Sequence, residues 1–273
     1  MELWHEVAGE GSPVLLIHEG ICDSRMWESQ WRTFPQVHLT VRCDLRGFGQ
    51  TPLPAEHYSN ARDVVELLDR LELGAAALVG VSLGGRVALE VALARPDLVE
   101  RLVLVGPGLP GHAWSDTVRR YGEEEDAAVA RGDLDAAVEA NLRMWVDGPN
   151  RRPDDVEPSV RSFVGKMQRR ALELQASMWD EVEEELLVPD VERRYAEVGV
   201  PTLVLVGSED VSDMHEIADR LTSGIPGARK VVIARTAHVP SIERPEEFNR
   251  LVLAFLSASE EGSGHIVTLD QQR

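Results

Sequence analysis

The chain has 273 residues, enough for one large α/β domain with an insertion or for two domains. Its hydrophobic content of 43% is that of a packed globular core, while a formal net charge of −19 argues against the basic patches that nucleic acid and anionic membranes require. No apolar run approaches the ~20 residues of a membrane-spanning helix, so the expected partner is a small molecule, with no nucleic acid and no membrane.

Residues 2–7 alternate weakly and end at Gly9-Glu10-Gly11, which predicts a hairpin strand. Met1-Glu2-Leu3-Trp4-His5 shows no basic and apolar leader. Cys22 and Cys43 fall in predicted core segments and read as reduced, buried thiols. Both features predict a cytoplasmic protein. There is no C-x-x-C pair and no H-E-x-x-H helix to support metal chemistry.

Residues 14–17 and 39–43 are continuous apolar runs, the pattern of parallel strands covered on both faces. Residues 62–71 have helical spacing. A strand at 77–81 is followed by a helix to about residue 94, closed by Pro96, and a strand at 102–105. The rhythm breaks at Gly106-Pro107-Gly108-Leu109-Pro110-Gly111. From there to about residue 199 only helices are predicted: Leu134, Val138, Leu142 and Trp145 share one face, and Val160, Phe163, Val164, Met167, Ala171, Leu174 and Met178 another. Pro201 restarts the alternation, with strands at 202–206 and 230–234 and helices at 213–222 and 245–256.

Strands alternating with helices predict an α/β fold, a mostly parallel twisted sheet flanked by helices. The core is expected in two parts, 1–106 and 200–258, with a helical cap at 107–199 over the carboxyl ends of the strands, where ligands of such sheets bind. Residues 259–264 read as a linker and 265–273 as a strand. Joined to residues 2–7, that strand makes a strand-turn-strand, so the chain reads as a circular permutant whose old termini are linked by Gly262-Ser263-Gly264. The alternative is a disordered extension.

The chemistry is concentrated at Gly80-Val81-Ser82-Leu83-Gly84. A strand-length apolar run enters it and a small-residue helix leaves it, which only a very tight turn can connect. Gly80 and Gly84 remove side chains where the backbones must nearly touch. Ser82 is then presented at the N-terminus of a helix, whose positive end favours developing negative charge. A serine hydroxyl needs a base, and the base an orienting acid. In this architecture they follow in the order Ser, acid, His. Asp210, past the strand at 202–206, is the expected acid, with Glu209 and Asp213 as near alternatives. His238, on the loop after the last strand, is the expected base. The oxyanion donors are expected to be the backbone N–H groups of Leu83 and of Gly20. His18 is expected to brace the loop. Glu19 beside it would oppose a developing oxyanion, so its side chain must point away or be paired.

With these residues the chain resembles the α/β-hydrolase fold superfamily, in its serine esterase and lactonase-like branch with a helical cap. The resemblance spans roughly residues 2–258 and rests on His18-Glu19-Gly20, Asp44-Leu45-Arg46-Gly47-Phe48-Gly49, Ser82, Asp210, Thr236-Ala237-His238 and Glu243-Arg244-Pro245. It implies that Asp44 and Arg46 hold a loop near the site. Glu19 departs from the usual His-Gly, and Ala237 stands where glycine is usual. Relatives that use an aspartate at the elbow, dehalogenases and epoxide hydrolases, are disfavoured by Ser82. Asp23-Ser24-Arg25-Met26-Trp27 is similar to a segment of enol-lactone hydrolases.

The function expected is a serine hydrolase of small to medium apolar carboxylic esters, working through an acyl-enzyme and requiring no cofactor. One alternative is an enol-lactone or C–C bond hydrolase, and another a non-catalytic small-molecule binding protein on the same fold. Glu19, Met144, Trp145, Phe163 and Met167 are candidates to contact substrate, with Trp179 also in the cap. The chain is expected to be a monomer or a homodimer.

Overall fold

The computed structural model describes residues 2–179 and 181–258. Among them are seven strands: β1 (His5–Ala8), β2 (Pro13–Ile17), β3 (Leu39–Cys43), β4 (Ala76–Val81), β5 (Val99–Val105), β6 (Thr202–Gly207) and β7 (Arg229–Ile233). They form one sheet in the order β1-β3-β2-β4-β5-β6-β7, parallel throughout except for β1. The helices in chain order are α1 (Glu28–Thr33), α2 (Asn60–Arg70), α3 (Leu83–Ala94), α4 (Asp116–Ala130), α5 (Leu134–Asn141), α6 (Pro158–Gln175), α7 (Val191–Arg194), α8 (Ser212–Gly224), α9 (Pro240–Glu243) and α10 (Pro245–Leu256).

The continuous apolar runs work because each strand feeds two cores. Leu15, Leu78, Leu102 and Val204 point to the face covered by α2, α3 and α8, where they meet Leu67, Val91 and Ile217. Their neighbours Val14, Val79, Val103 and Leu205 point to the face of α1 and α10, meeting Phe34, Phe248 and Val252. Successive side chains on a strand alternate between faces, so a sheet covered on both sides must be apolar at every position. Each buried side chain of this size stabilises the fold by about 1.5–3 kcal/mol.

The strand at residues 2–7 does not form the hairpin its Gly9-Glu10-Gly11 turn predicts. β1 pairs antiparallel with β3, His5 opposite Cys43 and Ala8 opposite Thr40. Both edges of β2 are already taken, by β3 on one side and β4 on the other. The free edge of β3 is therefore where β1 can add. Gly9, at φ +80°, turns the chain against the His38 carbonyl, where a Cβ would lie 2.3 Å away. The permuted strand at 265–273 and the linker at 259–264 lie outside the described residues.

Helices α4 to α7 all fall between β5 and β6. Between α5 and α6, Leu142–Asp147 is a π-helical turn continuing directly from α5. Cys22 and Cys43 are both free and buried. No helix among the described residues is long and apolar enough to cross a membrane.

Candidate active site

The elbow is built as its glycines require. Ser82 has φ +50° and ψ −109°, a conformation rare for a residue with a side chain and typical of strained functional turns. Its N–H donates to the Val105 carbonyl (2.9 Å), and its own carbonyl accepts from Arg86 and Gly108 N–H. A Cβ on Gly80 would lie 2.2 Å from the Gly84 carbonyl oxygen, and one on Gly84 would lie 2.3 Å from that of Ile17. Only glycine lets α3 start this close to the ends of β4 and β2.

Strands β6 and β7, beyond β5 in the sheet, carry two further polar groups. Asp210 follows β6 and His238 follows β7, so both side chains stand at the carboxyl ends of the parallel strands, as Ser82 does. His238 Nδ1 lies 2.8 Å from Asp210 Oδ2, with both side chains 1% exposed. Asp210 Oδ1 accepts from Val211 N–H, which fixes the carboxylate plane. The alternatives are engaged elsewhere: Glu209 accepts from the Ser208 hydroxyl, and Asp213 accepts from Ser115 N–H at 2.7 Å beside His112. Gly106 lies under the pair at φ +44°, where a Cβ would meet the His238 ring at 3.0 Å. Burial acts to lower the His238 pKa, but the Asp210 and Glu19 carboxylates outweigh it and hold it above its usual value. Nε2 of His238 is buried with no hydrogen-bond partner, so it does not bond the Ser82 hydroxyl here. Such bonds are commonly long until substrate binds.

The loop after β2 is braced by His18. Leu45 N–H donates to His18 Nε2 (2.9 Å), which leaves Nδ1 to donate to the Glu19 carbonyl at 2.7 Å. Asp44 accepts from Ser24 and Gln50 N–H, and Arg46 pairs with Asp63 at 2.6 Å. Both therefore hold loops together. Gly20 adjoins Leu83, whose Cβ would be 3.8 Å from a Cβ placed on the glycine.

Glu19 does not point away. It is 1% exposed, its Oε1 accepts from the Cys22 thiol at 3.0 Å, and its Oε2 faces His238 Nε2 at 3.8 Å. Burial pushes its pKa up to about 7; the charge of His238 and the Cys22 hydrogen bond pull it down, and Asp210 pushes it up. The expected pairing is thus met only at one oxygen.

The remaining candidate contacts separate. Trp145, on the π-helical turn, lies against His238 with ring centroids 4.5 Å apart, and its carbonyl accepts from His238 N–H at 3.1 Å. Met144 is buried and borders a cavity of about 100 Å³ with Val118 and Tyr121. Met167 is buried in the core that also holds Leu142 and Val164. Phe163 lines a groove with Met26 and Ile242. Trp179, with Phe48, Tyr58, Met178 and Val182, lines a cleft of about 240 Å³ that reaches Leu83, the residue after Ser82.

One contact next to the histidine loop was not signalled by the sequence. Arg151 donates to the Val146 and Asp147 carbonyls of the π-helical turn and pairs with Glu243 at 2.7 Å. Glu243 in turn accepts from Ala237 N–H at 2.7 Å, next to His238. The Glu243-Arg244-Pro245 motif was visible in the sequence, but nothing marked Arg151 among the other arginines. No cluster of three or more metal-ligating side chains occurs among the described residues.

A strained serine at a strand-to-helix turn, and a carboxylate-imidazole pair at the ends of two adjacent parallel strands of the same sheet, define the class: an α/β protein with polar side chains gathered on strand-end loops. The chain belongs to the alpha/beta hydrolase fold family, whose sequence pattern it matches over residues 13–245. It is 28% identical over 271 residues to a Pseudomonas savastanoi pv. phaseolicola protein named "Putative carbamate hydrolase RutD", covering 93% of this chain and 97% of that one. Among solved structures it resembles Est816, described as an N-acyl homoserine lactone degrading enzyme, with 26% identity, TM-score 0.74 and coverage of 93% and 96%. It also resembles a hydrolase from Pseudomonas aeruginosa PA01, with 27% identity, TM-score 0.76 and coverage of 94% of each chain.

Proposed function

We propose that this chain is a serine hydrolase that cleaves carboxylic esters through a Ser82-His238-Asp210 triad. The observation that carries the reading is the buried 2.8 Å contact between His238 and Asp210 at the strand ends of a sheet whose elbow holds Ser82 at φ +50°. Asp210 keeps Nδ1 protonated, which leaves Nε2 as the basic nitrogen. His238 then takes the Ser82 proton as the hydroxyl attacks a carbonyl. The N–H groups of Leu83 and Gly20 receive the oxyanion, and Leu83 begins α3, whose dipole adds to the field. His238 protonates the leaving alcohol and next activates water to release the acyl group.

Residues 107–199 act as a cap that limits access. Trp145 covers one face of His238, and the cleft bordered by Trp179 and Leu83, lined by apolar side chains together with Asn60, Gln175 and Glu184, supplies an approach to the elbow. The likeness to Est816 favours a second reading, lactone opening by the same chemistry. The relative named for carbamate hydrolysis extends the range of acyl groups to be tried.

A series of p-nitrophenyl esters and matched lactones tests this. Wild type is expected to release p-nitrophenol well above background, and Ser82→Ala to lose at least ~10⁴-fold. Equal rates in the two proteins, or background rates in both, would overturn the reading.

A further inference from the structure

The site holds a further carboxyl group that the triad chemistry does not use. Glu19 lies in the loop that adjoins Leu83, and it is as buried as the base it faces. Its two oxygens have different surroundings. Oε1 is engaged by the Cys22 thiol. Oε2 points to His238 Nε2 at 3.8 Å, beyond hydrogen-bond reach, and that nitrogen has no hydrogen-bond partner of its own. The carboxylate oxygen therefore stands 3.8 Å from the nitrogen that must take the Ser82 proton, on the side where the reacting end of a substrate has to approach.

A plain ester has only acceptors at its reacting end, the carbonyl and ether oxygens. Neither can satisfy a carboxylate, and the developing oxyanion is repelled by it. In a buried site such like-charge repulsion opposes the work of the oxyanion donors. A substrate with an N–H or ammonium group beside the carbonyl reverses the sign, because it offers the donor that Oε2 lacks. Buried polar groups left unpaired by the wrong substrate are the strongest source of discrimination available to a pocket.

We propose that Glu19 is a specificity-determining residue, which selects acyl groups carrying an N–H or ammonium donor directly beside the scissile carbonyl over isosteric acyl groups that carry none. This rests on Ser82 and His238 being the nucleophile and base. It goes beyond that reading by assigning the substrate chemistry, and it departs from the purely apolar ester expected from the sequence. The groups that face Glu19 are His238, Cys22 and Asp210. None of them supplies a neutral or cationic donor to Oε2 at hydrogen-bond distance.

Two isosteric pairs test it. Phenyl N-methylcarbamate and phenyl propanoate differ by N–H for CH₂, and alanine phenyl ester and phenyl 2-methylpropanoate differ by ammonium for CH₃. The readout is kcat/KM for phenol release, taken as the ratio within each pair so that intrinsic reactivity cancels between variants. Glu19→Ala is expected to lower both ratios at least tenfold. Glu19→Gln keeps a carbonyl acceptor and is expected to lower the ammonium ratio more than the N–H ratio. Labelling of Ser82 by a phosphonate in each variant establishes that the elbow is intact. Unchanged ratios in a labelled Glu19→Ala protein, or an equal loss on both members of each pair, would overturn the assignment. Undiminished turnover of all four substrates by Ser82→Ala would instead overturn the serine-hydrolase reading.

Discussion

At the scale of single residues, His238, the proposed base, sits between two carboxylates. Asp210 touches Nδ1 at 2.8 Å, while Glu19 stands 3.8 Å off Nε2. Asp210→Asn should therefore cost about 10⁴-fold in kcat with little change in melting temperature, since the amide keeps the shape but favours the wrong imidazole tautomer. A loss below tenfold would mean that Asp210 does not orient His238. Glu19 carries its own signature in stability. Its pKa is raised from 4.5 to about 7 on folding, so the folded chain holds a proton that the unfolded chain has released. The stability this contributes is fully present below pH 4.5 and is lost as pH rises through 7, by about 3 kcal/mol at most. Glu19→Gln has no such dependence. Denaturant melts at pH 5 and pH 8 should show the variant gaining on wild type as pH rises. A gap that stays constant would show that Glu19 does not titrate in this range.

At the scale of elements, the position of His238 depends on a segment far away in sequence. Arg151 fastens the π-helical turn and binds Glu243, which holds the N–H just before His238. The pair is largely buried, with side chains 12% and 7% exposed, so removing one partner strands the other. Arg151→Met should lower stability by about 3 kcal/mol and kcat by about tenfold or more, through loss of base position. Its KM for short esters should change less than kcat, because Arg151 lies behind the histidine loop. If urea melts of the variant matched wild type and kcat were unaltered, the coupling between this turn and the loop would be refuted.

At the scale of the whole molecule, what could be read from the sequence was what is local. The two-faced strands were legible because burial on both sides leaves a continuous apolar run, and the elbow because its glycines sit at fixed offsets from Ser82. That Asp210, and not Glu209 or Asp213, meets His238 was legible from its place past β6. The pairing of β1 was not, because it depends on which edges other strands leave free. The direction of Glu19 was not, because it is set by a thiol three residues on and an imidazole from the far end of the chain. Arg151 and Glu243 stand 92 residues apart, and no local pattern joins them.

The most direct measurement is mass spectrometry of the intact chain and its peptides after reaction with a p-nitrophenyl phosphonate. The account predicts one adduct per chain on the peptide containing Ser82, with ester turnover lost in step with labelling and no adduct in Ser82→Ala. An adduct on another residue, or full turnover in a protein whose Ser82 is labelled, would contradict it.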